Sequence, residues 1–235
     1  MILVGQYVSP YVRRVAISLR LLGFAYEHDT RSVFRDFSSM RKTNPVGRIP
    51  SLILEDGEVL IDSAAILDWL DEAVGPSRSL VPPSGSDRRR ALRLIALATG
   101  AIDKNITSAY ERLVRPEKLR WQDWIARCRK QAEGALEALA IEPWPASAAL
   151  DQAQITTACM FRFVREADPE LLPSGRYPNL DALAQRCEET AVFKATAPAS
   201  LPYSVNLPVR PPNNAHEAGR EAKLGDLPNN AEIGQ

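Results

Sequence analysis

The hydrophobic pattern changes partway along the 235-residue chain. Over roughly the first 80 residues, short apolar runs alternate with stretches of helical spacing, whereas the next 110 or so carry helical spacing almost throughout. An alternating pattern predicts an α/β domain, and a continuous helical pattern predicts an all-α domain. We therefore expect two domains, at 1–77 and 87–197, joined by a proline- and glycine-containing linker at 78–86. A Pro/Asn/Gly-rich tail at 198–235 is expected to be disordered, because it has few apolar residues to bury.

The composition favours an ordinary soluble protein. Apolar residues make up 45% of the chain and charged residues 25%, which is close to the globular average. The 29 basic and 29 acidic side chains cancel, so the whole chain lacks the basic excess that nucleic-acid binders usually show. No apolar run is long enough for a membrane span or the core of a secretory signal. We expect a cytoplasmic protein that binds neither nucleic acid nor a membrane.

The cysteines and histidines do not indicate a metal site. The three cysteines, Cys128, Cys159 and Cys187, are far apart in sequence, and neither they nor the two histidines have the spacing of metal ligands. An odd number of scattered cysteines is typical of free thiols in a reducing compartment. We therefore expect no bound metal.

The first domain has the pattern of a βαβ unit followed by a helix and a ββα unit. Strands are predicted at 2–5, 24–29, 51–54 and 59–61. A right-handed crossover makes the first two strands parallel, and the Asp56-Gly57 turn makes the last two antiparallel. The pattern therefore predicts a mixed four-stranded sheet.

Three helices are predicted in this domain. The first begins after Ser9, which is placed as N-cap, and stops at Gly23. A weaker helix is expected at 33–43. The third is capped by Ser63 and ends at Gly75.

The second domain is predicted to contain two long helices, at 87–113 and 117–140. Asp151 and Gln154 have the spacing of a capping box, which predicts a helix from there to about residue 167. Shorter helices are expected at 179–188 and 189–196.

Three short motifs in the first domain can carry chemistry. They are Ser9-Pro10 at the start of the first helix, Ile49-Pro50 before the third strand, and Asp62-Ser63 at the start of the third helix. Each alone has an ordinary structural role, since Ser and Asp are common helix caps and proline is tolerated where a strand begins. Their joint occurrence in this order indicates a binding site.

With these motifs the sequence resembles the cytosolic glutathione S-transferase family, in particular its bacterial-type serine class. Residues 9–15 look like the start of that family's first helix, 44–50 like its cis-proline loop, and 62–66 like its acidic-Ser-x-Ala-Ile motif. The resemblance covers about residues 1–197. It implies a thioredoxin-like first domain, an all-helical second domain and a homodimer.

The same resemblance implies an enzyme that transfers alkyl or aryl groups, with a role in detoxification. Such an enzyme activates the thiol of glutathione, its co-substrate, as a thiolate that attacks a small, hydrophobic electrophile, and it uses no other cofactor. Two alternatives stay open: a glutathione-dependent isomerase or dehalogenase, and a non-catalytic interaction module that keeps the fold.

The resemblance also assigns roles to individual residues. Ser9 would donate a hydrogen bond to the sulfur of glutathione and act as the catalytic residue. Lowering a thiol pKa by about two units requires about 2.7 kcal/mol, which a hydroxyl donor and a helix N-terminus together can supply. Tyr7 is the alternative donor, because other classes carry a catalytic tyrosine near this position.

The remaining assignments follow the parts of the tripeptide. The backbone at Ile49-Pro50 would pair with the cysteinyl unit as an added strand would, and Ser63 and Asp62 would bind the γ-glutamyl carboxylate and ammonium. Arg48 would meet the glycine carboxylate. Arg31 and Arg35 are the alternatives to Arg48 for the glycine carboxylate. A second-substrate pocket could be lined by Tyr7, Tyr11 and Tyr110.

Overall fold

Four strands form one mixed sheet in the computed structural model, which describes residues 1–146 and 149–198. The spatial order is β2-β1-β3-β4, with bounds β1 Ile2–Val4, β2 Glu27–Asp29, β3 Ser51–Ile53 and β4 Val59–Ile61. β1 runs parallel to β2 and antiparallel to β3, and β3 runs antiparallel to β4. The predicted mixed sheet of a thioredoxin-like domain is confirmed.

The second strand is shorter than predicted, because the first part of 24–29 still belongs to the end of the preceding helix. The N–H of Phe24 donates to the carbonyl of Leu19 at 2.9 Å, so it closes the last helical turn and is not free to join the sheet. β2 therefore begins only at Glu27.

The helices of this domain are α1 Pro10–Leu22, α2 Phe37–Thr43 and α3 Ser63–Val74. Ser9 caps α1, with its Oγ accepting from the Val12 N–H at 3.4 Å, and Gly23 ends it with a φ of 84°. Both predictions are confirmed. α2 starts later than predicted, because Asp36 and Ser32 first form a hydrogen-bonded turn.

The predicted cap of α3 is wrong by one residue. Asp62, not Ser63, is the N-cap, and its Oδ1 accepts from the Ala64 N–H at 2.8 Å. Ser63 is the first helical residue; it is buried, and its hydroxyl accepts a hydrogen bond from Arg14 of α1. Because the N-cap is Asp62, the Ser63 side chain is available for this tertiary contact.

The second domain is helical throughout its described part. It contains α4 Gly85–Leu113, α5 Gln122–Ala140, α6 Gln152–Ala167, α7 Pro178–Glu189 and α8 Ala191–Lys194, with short 3-10 turns at Glu117–Leu119 and Pro169–Leu171. The predicted helix at 117–140 is thus a 3-10 turn followed by α5. The capping box of α6 is confirmed, since Asp151 and Gln154 exchange hydrogen bonds of 2.8 and 3.0 Å.

Helix α6 contributes to both apolar clusters of the molecule. Ile155 belongs to the cluster built on α1 and the sheet, which also includes Phe193 from α8. Phe161 belongs to the cluster formed with α4 and α5. Helices from the second half of the chain therefore contribute residues to the apolar core of the first domain.

The tail predicted to be disordered, at 198–235, lies outside the described residues from residue 199 onward. None of the helices within residues 1–146 and 149–198 is both long and apolar enough to cross a bilayer.

Candidate functional site

A cavity of about 220 Å³ lies where α1, α3, α4 and the loop before β3 meet. Five residues that the sequence predicted for the site line it: Tyr11, Arg48, Ile49, Asp62 and Ser63. Arg14, Thr99 and Asp103 line it as well, although nothing in the sequence pattern singled them out. The lining is mostly polar and carries both signs of charge, which suits a small ligand that is itself of mixed charge.

A larger and more open depression, of about 760 Å³, lies beside Trp121 and Trp124 on the helical domain. None of the residues predicted for the site lines it. The smaller cavity, which gathers the predicted residues from separate parts of the chain, is therefore the candidate site.

Ser9 lies at the N-terminus of α1 and is half-buried. Its Oγ accepts one long hydrogen bond from the Val12 N–H, at 3.4 Å, and within the described residues its hydroxyl donates to no acceptor. A free hydroxyl proton at a helix N-terminus is placed to stabilise an anion. Ser9 is not among the residues that line the 220 Å³ cavity.

Ile49, in the loop before β3, lines the cavity. The Ile49-Pro50 bond is cis, and among residues 1–146 and 149–198 no hydrogen bond of the Ile49 backbone occurs. The loop is held from behind by Asn44, whose Nδ2 donates to the Arg48 carbonyl at 2.8 Å. Pro50 is buried and does not line the cavity.

Asp62 lies at the edge of the cavity in an unusual backbone conformation. Its φ of 69° is the one positive value among the described non-glycine residues. Non-glycine residues with positive φ often mark functional sites, where surrounding structure holds them in place. The carboxylate is exposed and spends one oxygen on the cap of α3, which leaves the other oxygen for a ligand.

Beside Asp62, the Ser63 hydroxyl meets Arg14 of α1. The Arg14 Nη2 donates to Ser63 Oγ at 2.7 Å, and both residues are only 2% exposed. Nε and Nη1 of the same guanidinium are buried without a hydrogen-bond partner in the described part of the chain. Burial lowers the pKa of Arg14, although an arginine remains charged under ordinary conditions.

Tyr11 connects the first domain to the helical one at the cavity wall. Its hydroxyl donates to Asp103 Oδ1 at 2.5 Å and lies 3.3 Å from the Thr99 carbonyl, both on α4. Burial and the neighbouring Asp103 raise the pKa of Tyr11, so the phenol stays protonated. Tyr110, the other helical candidate, is exposed, packs edge-on against Phe34 and does not line the cavity.

Tyr7 is another predicted site residue that does not line the cavity. Its ring stacks on His28 with centroids 3.9 Å apart, and its hydroxyl forms a 2.7 Å hydrogen bond with Tyr26. Burial, reinforced by Tyr26, raises the pKa of Tyr7. The ring packs into the first domain and does not line the 220 Å³ cavity, and its place in a second-substrate pocket stays a prediction.

Of the three arginines considered for a carboxylate, Arg48 is the one that lines the cavity. Arg31 is paired with Asp29 at 2.7 Å and also donates to the Ser39 carbonyl. Arg35 is exposed and does not line the cavity. In the described residues no group of three or more His, Cys, Asp or Glu side chains is arranged to hold a metal ion.

Residues 3–78 match the family model of the glutathione S-transferase N-terminal domain. Among curated proteins, an uncharacterized GST-like protein of Escherichia coli, YibF, is 30% identical over 58% of this chain and 67% of its own length. A probable maleylacetoacetate isomerase 1 of Drosophila melanogaster is 29% identical over 86% of this chain and 82% of its own length.

Solved structures with the same fold extend the similarity to the helical domain. A glutathione S-transferase of Methylobacterium radiotolerans, in complex with glutathione sulfonate, aligns with a TM-score of 0.78 and 28% identity over 85% of this chain and 95% of its own. A glutathione transferase family member of Pseudomonas fluorescens Pf-5, with bound glutathione, aligns with a TM-score of 0.74 and 31% identity over 84% and 98%.

Proposed function

The chain belongs to the cytosolic glutathione S-transferase family, and we propose that it is a glutathione transferase that uses the 220 Å³ cavity to bind the γ-glutamyl end of glutathione. One observation carries this proposal. The cavity brings a carboxylate, a hydroxyl and an unpaired backbone segment together from Asp62, Ser63 and Ile49, and these are the groups that a zwitterionic peptide end requires.

In this proposal the tripeptide has one orientation in the site. The γ-glutamyl ammonium pairs with the free oxygen of Asp62, and its carboxylate accepts from the Ser63 N–H and hydroxyl at the start of α3. The cysteinyl backbone pairs with Ile49 as an added strand. The glycine carboxylate extends toward Arg48, which is exposed at the edge of the cavity.

Ser9 stabilises the thiolate in this arrangement. Its hydroxyl proton is uncommitted in the described residues and lies at the N-terminus of α1. A hydrogen bond to a charged acceptor contributes about 1.5–3 kcal/mol, which lowers the pKa of the bound thiol by about one to two units. Tyr7 is the poorer donor, because its hydroxyl is engaged with Tyr26.

A glutathione-dependent isomerase is the second candidate. It is favoured by the Drosophila relative and by a probable maleylacetoacetate isomerase of Vibrio cholerae, which is 28% identical over 86% of this chain and 97% of its own length. Both activities begin with the same thiolate. The sulfur adds to the substrate in each, and in an isomerisation the carbon–sulfur bond breaks again to return glutathione.

The proposal also includes the features that family membership suggests for the whole enzyme. These are a small hydrophobic electrophile as second substrate, a homodimer, a cytoplasmic location and a role in detoxification. The homodimer is tested by the mass of the purified protein in sedimentation equilibrium.

The function is tested by measuring glutathione binding calorimetrically and conjugation with 1-chloro-2,4-dinitrobenzene spectrophotometrically. We expect Ser9→Ala to retain glutathione but to lower kcat/KM about 10- to 100-fold, as loss of 1.5–3 kcal/mol requires. Its apparent pKa of activity should rise toward that of a free thiol. Tyr7→Phe is the matched control and should change little.

Two results would count against the proposal. If the wild-type protein bound no glutathione at millimolar concentration, the function itself would be wrong. If Tyr7→Phe abolished conjugation while Ser9→Ala did not, the donor would be Tyr7. Substrates with an isomerisable double bond, assayed in parallel, separate the isomerase from the transferase.

A further inference from the structure

Arg14 is a buried cation on the cavity wall without a counter-ion in the described part of the chain. Its side chain is 2% exposed, and it forms no ion pair with any described carboxylate. Leaving a buried charge unpaired is costly. The neighbouring Arg13 differs, because it is neutralised by Glu188. An anion bound in the cavity would supply the charge that Arg14 lacks.

The contact between Arg14 and Ser63 fixes where the serine proton points. A guanidinium can only donate, so the 2.7 Å bond from Arg14 Nη2 uses a lone pair of Ser63 Oγ. The hydroxyl proton must then turn elsewhere. Because Ser63 lines the cavity, an acceptor on a bound ligand is in a position to receive it.

We propose that Arg14 is a positioning residue for carboxylate recognition: it orients the Ser63 hydroxyl toward the cavity and balances the charge of the γ-glutamyl α-carboxylate of glutathione. This inference rests on the proposed function. The ligand carboxylate accepts from the Ser63 hydroxyl, and the guanidinium lies directly behind that hydroxyl. The arrangement places the positive charge of Arg14, from α1, beside the first residue of α3.

The other charges on the cavity agree with this role. Asp62 and Asp103 both favour the charged form of Arg14 from a distance, but neither forms an ion pair with it in the described residues; Asp103 accepts from the Tyr11 hydroxyl and Asp62 caps α3. The guanidinium lies over the Tyr11 ring, with its central carbon 5.7 Å from the ring centre. A cation–π contact of this kind stabilises a guanidinium without removing its charge.

The experiment compares two ligands on one protein. Dissociation constants are measured by calorimetry for glutathione and for γ-aminobutyryl-cysteinylglycine, which is glutathione without that α-carboxylate. We expect the wild-type protein to prefer glutathione by about tenfold or more, the effect of one charge-assisted hydrogen bond. In Arg14→Gln the preference should fall close to one, and Arg14→Lys should restore most of it.

The ratio of the two constants separates recognition from a structural role. If Arg14→Gln weakened both ligands by the same factor, Arg14 would only support the fold and the inference would be overturned. Arg20→Gln, on an exposed part of the same helix, is the matched control and should leave the ratio unchanged. A wild-type protein that binds neither ligand would instead refute the proposed function.

A second measurement covers the case in which Arg14→Gln does not fold. Ser63→Ala should lower the same ratio, because the ligand carboxylate then loses the hydroxyl that Arg14 orients. A Ser63→Ala variant that keeps the wild-type ratio would contradict the proposed route from Arg14 through Ser63 to the ligand.

Discussion

Arg13 and Glu188 form a bidentate ion pair that joins α1 to α7, with Nη1–Oε1 and Nη2–Oε2 distances of 2.5 and 2.7 Å. The same guanidinium donates to the carbonyls of Thr196 and Phe193. Arg13 is thus saturated by the helical domain, while the next residue, Arg14, lines the cavity. Of these two adjacent arginines, Arg13 therefore joins α1 to the helical domain and Arg14 forms part of the site.

We predict that Glu188→Gln destabilises the protein by about 1–3 kcal/mol. Removing one partner of a fully buried pair costs about 3–5 kcal/mol, and the lower range applies because the Glu188 side chain is 27% exposed. Urea unfolding measures the change. Glu166→Gln is the control, since Glu166 pairs with Arg162 one turn apart on a partly exposed face, and we expect a cost below about 0.5 kcal/mol. Equal effects of both variants would contradict a clamp between α1 and α7.

We predict that Asp62→Asn separates the cap of α3 from ligand binding. Asparagine can accept the Ala64 N–H as aspartate does, so the free energy of unfolding should change by less than about 0.5 kcal/mol. The lost charge should weaken glutathione binding about 5- to 10-fold. Calorimetry and urea unfolding measure the two effects. Asp62→Ala, which loses the cap as well, should cost about 1 kcal/mol; an unchanged dissociation constant in Asp62→Asn would exclude Asp62 as the ammonium partner.

We predict that Gly5→Ala is strongly destabilising and weakens glutathione binding. Gly5 has a φ of 125°, and an added Cβ would lie 2.6 Å from Val12 Cγ2 and 2.8 Å from Ile49 Cβ. Such overpacking costs about 1–3 kcal/mol on top of the backbone strain, and the Ile49 backbone would shift. Gly57→Ala is the control, because its φ is 91° but an added Cβ would meet no atom within 4 Å. If Gly5→Ala were as stable as Gly57→Ala, Val12 and Ile49 would move aside at no cost and the prediction would be wrong.

We predict that the three cysteines, Cys128, Cys159 and Cys187, are unreactive in the folded protein. All are free and buried, so a thiol reagent at pH 8 should modify none of them until the protein is unfolded. Counting reactive thiols before and after adding denaturant checks this. One fast-reacting thiol in the native state would mean that a buried site opens.

Burial of the Cys159 and Cys187 thiols predicts that the folded protein loses stability at alkaline pH. It raises the pKa of Cys159 and Cys187 from 9.0 to about 12, so the folded state keeps two protons that the unfolded state releases. Stability is therefore complete below about pH 9 and falls as the pH rises toward 12. By pH 10.5 each thiol should account for about 1–2 kcal/mol. Urea unfolding of the Cys159→Ala/Cys187→Ala double variant should show a shallower decline, and an identical slope would refute the cause.

The local elements were predictable because their signals lie within one helical turn. The Ser9 cap, the Gly23 stop and the Asp151–Gln154 capping box each depend on residues up to four positions apart, and all are present. The error at α3 involves a residue distant in sequence. The cap of α3 is Asp62 and not Ser63, because two adjacent residues that can both cap compete, and a tertiary contact with Arg14 decides between them.

The sequence by itself determined the order of strands and helices, the caps of α1 and α6, and the motifs at Ile49 and Asp62-Ser63 that line the cavity, because hydrophobic spacing and capping depend on neighbouring residues. Only the tertiary structure decided the roles of Arg13, Arg14 and Tyr7. Arg14 contacts a residue 49 positions away and Arg13 one 175 positions away, and Tyr7 packs on His28 of the next strand. Which polar side chain is buried, and against which partner, follows from packing between distant segments, and no pattern within one segment records it.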